Sequence, residues 1–396
     1  MTCRIQSLTA CHVLIPLRRR IAHASHARDE THTLLVRCRL QDGTTGWGEG
    51  LPRPYVTGET IDSAWRIIED APLADQLGGE ISGLAELVER CRNLQLLAKV
   101  PGERDCLGHS ARCALELAVL DAVLKSTRRR FQDLVQAIPE AAPLVGRTDA
   151  VRYSAAFTGM SARKQYLSAM RWLIFGFRVG KAKVGLPTQD DVSTLSRIRF
   201  TMGPDFDLRI DANEAWNSAN LVEKVRALQR FQISSLEQPL PHAELRKLPA
   251  LRRQIEIPLM LDESLCSLSD ADQAIETQAC DLFNIRLSKC GGFIPSVLLA
   301  ARAQRAGLGF QLGCQVGETG ILSAAGRQFA TNLRGWKYLE GSFDRYLVRE
   351  RLTAEDLTFK YGGRAPAITG CGLGVHVDEA AVKRVLVREM TIPIAR

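Results

Sequence analysis

The chain has 396 residues, too many for one ordinary hydrophobic core, and this length implies two domains. Its 45% hydrophobic and 24% charged residues are those of a soluble globular protein, and no apolar run approaches the ~20 residues of a membrane-spanning helix. The net charge of +8 is densest at Arg18–Arg20 and Arg128–Arg130, with no interleaved aromatics and no nucleic-acid-binding motif, so nucleic acid and membrane are excluded as partners.

The opening MTCRIQSLTACHVLIPLRRR carries its arginines after the apolar stretch, the wrong order for a secretory signal, and reads as a first strand. The eleven cysteines are scattered, odd in number and without a CxxC pair, which points to buried thiols in a reducing cytoplasm. HVLIPL, THTLLVRCRL and TTGWGEG, with a turn at Gln41-Asp42-Gly43, predict a β-meander over residues 1–50. Residues 60–135 change to helical periodicity, clearest in ARCALELAVLDAVLK (111–125). An α+β domain is therefore expected over residues 1–140, with 355–396 returning to it as loop, strand and short helix.

From about residue 150 strands and helices alternate. YSAAF, FRVGKAK, DLRIDA, ISSLEQP, PLMLDES, LFNIRLS, GFQLGC and KYLEG read as strands, with helices near 161–174, 188–201, 218–230, 268–276, 293–305 and 319–331. This predicts a (β/α)-barrel over residues 141–354. A doubly wound open sheet is disfavoured, because it gathers ligands at one switch point, whereas polar residues here end many successive strands.

Five of those polar residues form a ladder, Lys183, Asp211, Glu237, Asp262 and Lys289, with gaps of 28, 26, 25 and 27 residues, each the length of one strand–helix unit. Active-site groups of a barrel lie at the C-terminal ends of its strands. Three adjacent strand-end carboxylates, Asp211, Glu237 and Asp262, would repel one another unless a cation joined them, and all-oxygen ligation favours Mg²⁺ or Mn²⁺. Asn213 and Glu263, next to two of these ligands, are candidates to orient them. Lys181 and Lys183 share a face at i, i+2, and mutual repulsion with burial is expected to lower the pKa of both. Lys183 is the candidate base, Lys181 tunes it, and Lys289, read as the end of its own strand, is the opposing acid or base. Cys290-Gly291-Gly292 beside it would admit a ligand closely.

Lys181-Ala-Lys183, Asp211-Ala-Asn213 with Trp216, Glu237-Gln-Pro239, Asp262-Glu-Ser264 and Lys289-Cys-Gly-Gly292 together resemble the enolase superfamily, in particular its muconate cycloisomerase (muconate-lactonizing) subgroup. The resemblance implies a modified (β/α)₇β TIM-like barrel under an α+β cap, one Mg²⁺ or Mn²⁺ per subunit, and a small carboxylate substrate whose α-proton is removed to give an enolate. A homo-oligomer is expected. The leading expectation is a muconate-cycloisomerase-like isomerase. The alternatives are a dipeptide or amino-acid-derivative epimerase and an o-succinylbenzoate synthase-type dehydratase, with a Schiff-base barrel or a non-catalytic protein more remote.

In this family two cap loops set specificity. They correspond here to residues 18–26, with Arg19, His23 and His26 as possible contacts, and to PRPYVTGET (52–60), whose Tyr55 and Thr57 fall in a stretch similar to that of dipeptide epimerases. Glu318, near a GCMxE-like segment, and Glu340 are further candidates. The epimerases' Asp-x-Asp on the last strand corresponds to Glu340-Gly341-Ser342, which leaves one carboxylate. Arg286 stands where relatives often carry Lys, and counting alternation from Lys289 turns it outward.

Overall fold

The computed structural model describes residues 2–22, 27–98, 104–158, 161–187 and 189–394. Strands β1 (Cys3–Ala22), β2 (Ala27–Leu40) and β3 (Thr45–Gly50) form the expected antiparallel meander. At its tight turn Asp42 accepts from the Thr44 amide at 2.8 Å, while Gly43 takes φ +85°, a conformation that favours glycine. Next come α1 (Pro54–Thr57), α2 (Ile61–Asp70), α3 (Leu73–Leu77), the two-residue β4 (Glu80–Ile81), α4 (Leu84–Arg92), α5 (His109–Ser126) and α6 (Phe131–Gln136).

The TGWGEG segment owes its glycines to packing. Side chains alternate along a strand, so Gly46, Gly48 and Gly50 all face α5, against its bare backbone. A Cβ on them would stand 2.1 Å from the Ala122 nitrogen, 2.0 Å from the Ala114 oxygen and 2.0 Å from the Ser110 oxygen. Helix α5 is buried almost all round, as its continuous apolar sequence requires.

The second half alternates regularly. After β5 (Ala150–Arg152) come β6 (Ala155–Phe157), α7 (Ala162–Ile174), β7 (Val179–Lys183), α8 (Asp191–Met202), β8 (Asp207–Asp211), α9 (Leu221–Leu228), β9 (Ile233–Glu237), α10 (Leu248–Arg252) and β10 (Leu259–Leu261). The series continues through α11 (Leu268–Glu276), β11 (Leu282–Ile285), α12 (Phe293–Arg305), β12 (Gly309–Leu312), α13 (Gly320–Asn332) and β13 (Trp336–Leu339). Strands β6 to β13 make one parallel eight-stranded sheet in unbroken chain order, so the switch point of a doubly wound sheet is absent from it. The sheet is rolled. Arg209 of β8 hydrogen-bonds Gln311 of β12, four strands away, although four strand spacings in a flat sheet would separate them by roughly 19 Å. The Ser154 amide, just before β6, donates to Leu339 O of β13 at 2.8 Å, so the two edges meet.

The strands and helices read from the sequence before the tail are found, within a few residues at their ends. Helical stretches that were not expected include α1 and a 3₁₀ turn at His242–Lys247 running into α10. The tail differs in order. After α14 (Asp344–Leu347) and β14 (Arg364–Pro366), GLGVHV makes no strand beyond a bridge at Val377; helix α15 (Glu379–Arg384) comes first and strand β15 (Leu386–Pro393) follows it. β15 pairs antiparallel with β1, bringing the end of the described chain back to the first sheet.

Two buried carboxylates tie that first unit to the barrel-like sheet. Glu49 of β3 accepts from Thr319 N and Leu322 N at 2.8 Å and from Thr319 Oγ1 at 2.7 Å, at the start of α13. Glu116 of α5 accepts from Phe293 N and Ile294 N at 2.5 and 3.3 Å, at the start of α12. Both positions exploit the unsatisfied amides and positive dipole end of a helix N-terminus. Gly292, at φ +124°, lets Glu116 in, since a Cβ there would lie 1.8 Å from Glu116 Oε2. The glycine pair expected to admit a ligand thus admits a carboxylate from α5.

Gly48→Ala should cost about 1–3 kcal/mol or more by driving a methyl into the α5 backbone. Gly326→Ala, inside α13 where the new Cβ meets Leu312 Cδ2 at an ordinary 3.6 Å, should gain about 0.5–1 kcal/mol. Denaturant unfolding midpoints of the two variants should therefore move in opposite directions. A second expectation concerns pH. Burial raises Glu49 to about 7 against the hydrogen bonds from Thr319 and Leu322. The native protein then keeps a proton that the unfolded chain releases between the ordinary glutamate range and that value, so stability falls as pH rises through this window. Glu49→Gln should flatten this slope in urea-unfolding free energies measured below and above the window.

Candidate active site

β7 reads Val-Gly-Lys-Ala-Lys. Gly180 packs against Phe206 and Phe157, Ala182 is buried beside it, and the pleat turns Lys181 and Lys183 to the other face. Register sets Lys183 opposite Asp211 on β8, and Asp211 opposite Glu237 on β9. Asp262 directly follows β10, whose Met260 pairs with Glu237. The three carboxylates therefore ride on three neighbouring strands.

β11 ends at Ile285, so Lys289 belongs to the loop after it and not to a strand end. Lys289 reaches back, donating to Asp262 O at 2.6 Å and to Asp262 Oδ1 and Asn284 O at 2.8 Å. The alternation that turned Arg286 outward stops at Ile285 for the same reason. Arg286 points inward: its guanidinium contacts Asp262 Oδ2 and lies 3.4 Å from Glu237 Oε1.

The lysines divide sharply. Lys181 Nζ meets Glu237 at 2.9 and 3.0 Å, Glu340 at 3.0 Å and Asp211 at 3.4 Å. Burial alone would lower its pKa, but these carboxylates hold it above the ordinary lysine range. Lys183 has no hydrogen-bond partner among the described residues. Burial lowers its pKa; Asp211 opposes the fall and the charge on Lys181 adds to it. Only one lysine of the expected pair is lowered, because carboxylates surround the other. Burial raises Glu237 to about 8, and it also accepts from Asn284 Nδ2 at 2.8 Å. Burial would raise Asp262 as well, yet Arg286 and Lys289 bring it down to about 2.

Asp211, Glu237 and Asp262 offer an all-oxygen donor set, which suits a hard divalent cation. Among the described residues no three His, Cys, Asp or Glu side chains already converge as a cage. Lys181 and Arg286 lie against these oxygens, so a cation binding here competes with the Arg286 guanidinium for Asp262. Asn213, at φ +43°, donates its amide to Asp211 Oδ1 at 3.0 Å and its Nδ2 to Glu263 Oε1 at 3.3 Å, linking two strand ends.

A cavity of about 580 Å³ opens over this group. Lys181, Lys183, Asp211, Asn213, Arg286, Glu318 and Glu340 form its floor and near wall, and Arg19 and Tyr55 reach it from the first sheet and α1. Tyr55 is held by Arg28, whose Nη2 donates to its hydroxyl at 3.1 Å. Thr57 does not reach the cavity: it is buried and donates to Glu59 Oε2 at 2.7 Å, bracing α1 from within. Glu237, Asp262, Glu263 and Lys289 are buried beneath the cavity floor. His23 and His26 lie outside the described residues. A larger cleft of about 830 Å³, between α4, α5 and the loop after β10, is lined by Arg92, Arg104, His109 and Arg112 and has no comparable carboxylate set.

Four contributors escaped the sequence reading. Arg209 lies two residues before Asp211, and the pleat alone would have put it on the same face; it holds Glu340 at 3.1 Å and Ser154 at 2.8 Å. Asn284, two residues before Arg286, escaped because an Arg286 read as outward turns it outward as well. Gln311 gave no signal beyond being polar within an apolar strand. Asp344, two residues beyond Ser342, adds a second carboxylate to the wall that carries Glu340.

All eleven cysteines are free thiols, and no described helix is long and apolar enough to cross a membrane. Among curated proteins the chain is 30% identical over 364 residues to the L-Lys-D/L-Arg epimerase of Methylococcus capsulatus, covering 91% of this chain and 95% of that one. It is 27% identical over 324 residues to the N-succinyl-L-Arg/Lys racemase of Bacillus cereus, covering 81% and 82%. The crystal structure of the Bacillus cereus racemase superimposes with a TM-score of 0.86 at 24% identity, covering 98% of this chain and all of that one, and shares the fold. The dipeptide epimerase structure from Methylococcus capsulatus, complexed with Mg and L-Arg-D-Lys, gives 0.79 at 28% identity, with coverages of 95% and 100%. The fold is thus TIM-barrel-like with an N-terminal cap. Residues 166–381 match the enolase C-terminal domain-like family, and with these relatives spanning nearly the whole chain, the protein belongs to that family of the enolase superfamily.

Proposed function

We propose that this enolase-superfamily enzyme is an isomerase that epimerises or racemises an amino-acid derivative, a dipeptide or N-acylamino acid, at the carbon next to a carboxylate. The observation that carries the reading is Lys183: a half-buried, unpartnered lysine of lowered pKa facing a cavity, beside three carboxylates on consecutive strands. A muconate-cycloisomerase-like or dehydratase reaction would use the same residues. The epimerase alternative gains weight from relatives that are themselves epimerases and racemases of amino-acid derivatives.

Lys183, able to become neutral, takes the α-proton; the C–H bond breaks and its electron pair passes toward the carboxylate. Asp211, Glu237 and Asp262 would hold a Mg²⁺, which supplies electrostatic stabilisation for the negative charge that develops there. Lys181, kept charged by Glu237, Glu340 and Asp211, maintains the low affinity of Lys183 for protons. Lys289, held protonated by Asp262, is the group that returns a proton to the opposite face, so that configuration inverts. Asn213 and Glu263 brace the carboxylates. Tyr55 and Arg19 close the cavity over the bound substrate.

Incubation in D₂O with dipeptides, N-acylamino acids and muconates, read by mass and chiral chromatography, should give α-deuterium incorporation with both stereoisomers. Chelation should stop exchange, and added Mg²⁺ should restore it. Lys183→Ala should reduce exchange by at least about 10²-fold, the scale of losing a general base. Normal exchange in both Lys183→Ala and Lys289→Ala would sink the mechanism.

A further inference from the structure

Asp344 opens α14 directly after the last sheet strand, and its residue is only 3% exposed. Its Oδ1 is buried with no hydrogen-bond partner, and no cationic side chain lies within ion-pair distance of it among the described residues. Its neighbour Arg345 is committed to Asp356 at 2.9 Å. The other acids of this wall are accommodated. Glu340 is matched by Lys181 and Arg209 at 3.0 and 3.1 Å, and Glu318 accepts the Gln315 amide at 2.6 Å.

A buried carboxylate without a partner costs several kcal/mol unless a proton or a cation neutralises it. Burial and repulsion from Asp356 push the Asp344 pKa upward, against hydrogen bonds from its own amide and that of Arg345 and the charge of Arg351. Asp344 nevertheless borders the cavity, whose lining beside it includes the apolar and aromatic Trp172, Phe343, Tyr346 and Leu347. Arg171, an exposed cation in the cavity lining, is laid over the rings of Trp172 and Tyr346 at 5.5 and 5.6 Å from their centroids. An apolar trough ending in a carboxylate that no cation pairs fits a ligand group with an aliphatic stem and a positive tip.

We propose that Asp344 receives the cationic end of an aliphatic substituent, so that the preferred substrates are derivatives of basic amino acids. The proposal rests on the epimerase reading for the reaction, while the recognition itself can be measured as binding. The probes are Nα-acetyl-L-lysine and its neutral isostere Nα-acetyl-L-norleucine, titrated calorimetrically into the full-length protein with MgCl₂ present.

The lysine derivative should bind at least about tenfold more tightly, the size of one charge-assisted hydrogen bond. Asp344→Asn should erase that preference while leaving norleucine affinity unchanged. In the D₂O exchange assay the same variant should raise KM for the lysine derivative and leave kcat within a few-fold. Equal affinities in the unaltered protein, no binding of the lysine derivative, or a preference that survives Asp344→Asn would each overturn the proposal. The first two outcomes need no variant, so misfolding of Asp344→Asn cannot shield it. A binding preference without deuterium exchange on any probe would uphold the recognition and overturn the epimerase reading instead.

Discussion

A chain of alternating buried charges holds the site together. Arg209 meets Glu340, Glu340 meets Lys181, Lys181 meets Glu237, Glu237 meets Arg286, Arg286 meets Asp262, and Asp262 meets Lys289. Burying any one of these groups alone would be prohibitive, and each is tolerable because its neighbours in the chain carry the opposite sign. Successive members come from different strands or their end loops, so the same pairing that neutralises the charges also curls the sheet around them. Within this arrangement Lys183 is set apart. It shares the strand and face of Lys181, yet the nearby carboxylates are already committed elsewhere, which leaves a lysine that gains little from staying charged.

Much of this was legible from the sequence because a strand's period of two is unforgiving. Lys181 with Lys183, and Asp211 with Glu237, fall where alternation and the repeat spacing put them. The failures share one cause. Arg286 was turned the wrong way by counting from Lys289 across a strand that stops at Ile285, where the rule no longer applies. The opposite pKa directions of the two β7 lysines depend on Glu340, more than 150 positions away, so no local pattern could reveal them. Thr57 sat within a loop whose neighbour Tyr55 does reach the cavity, but which of them faces inward depends on Glu59 and Ser110 behind it. Alternation carries no information about a loop's inner face.

The first sheet and its helices contribute in two ways. Strand β1 and helix α1 bring Arg19 and Tyr55 to the cavity. Their interior meets the barrel-like sheet through Glu49 and Glu116, at the starts of α13 and α12. The position of the cap is therefore fixed by groups that never touch the cavity, and the cavity's composition is left to groups that bear little of the attachment.

That separation has a consequence for how such a protein can change. Glu49 lies at the end of the glycine-alternating β3, and that strand is pinned to the α5 backbone at atomic contact, so neither partner has room to drift. Substitutions at Arg19 and Tyr55, by contrast, alter what hangs over the cavity without disturbing the Glu49 and Glu116 joints that position it. An anchored frame with exchangeable overhangs lets the rim of the cavity change while the charged groups beneath it stay where the strands put them.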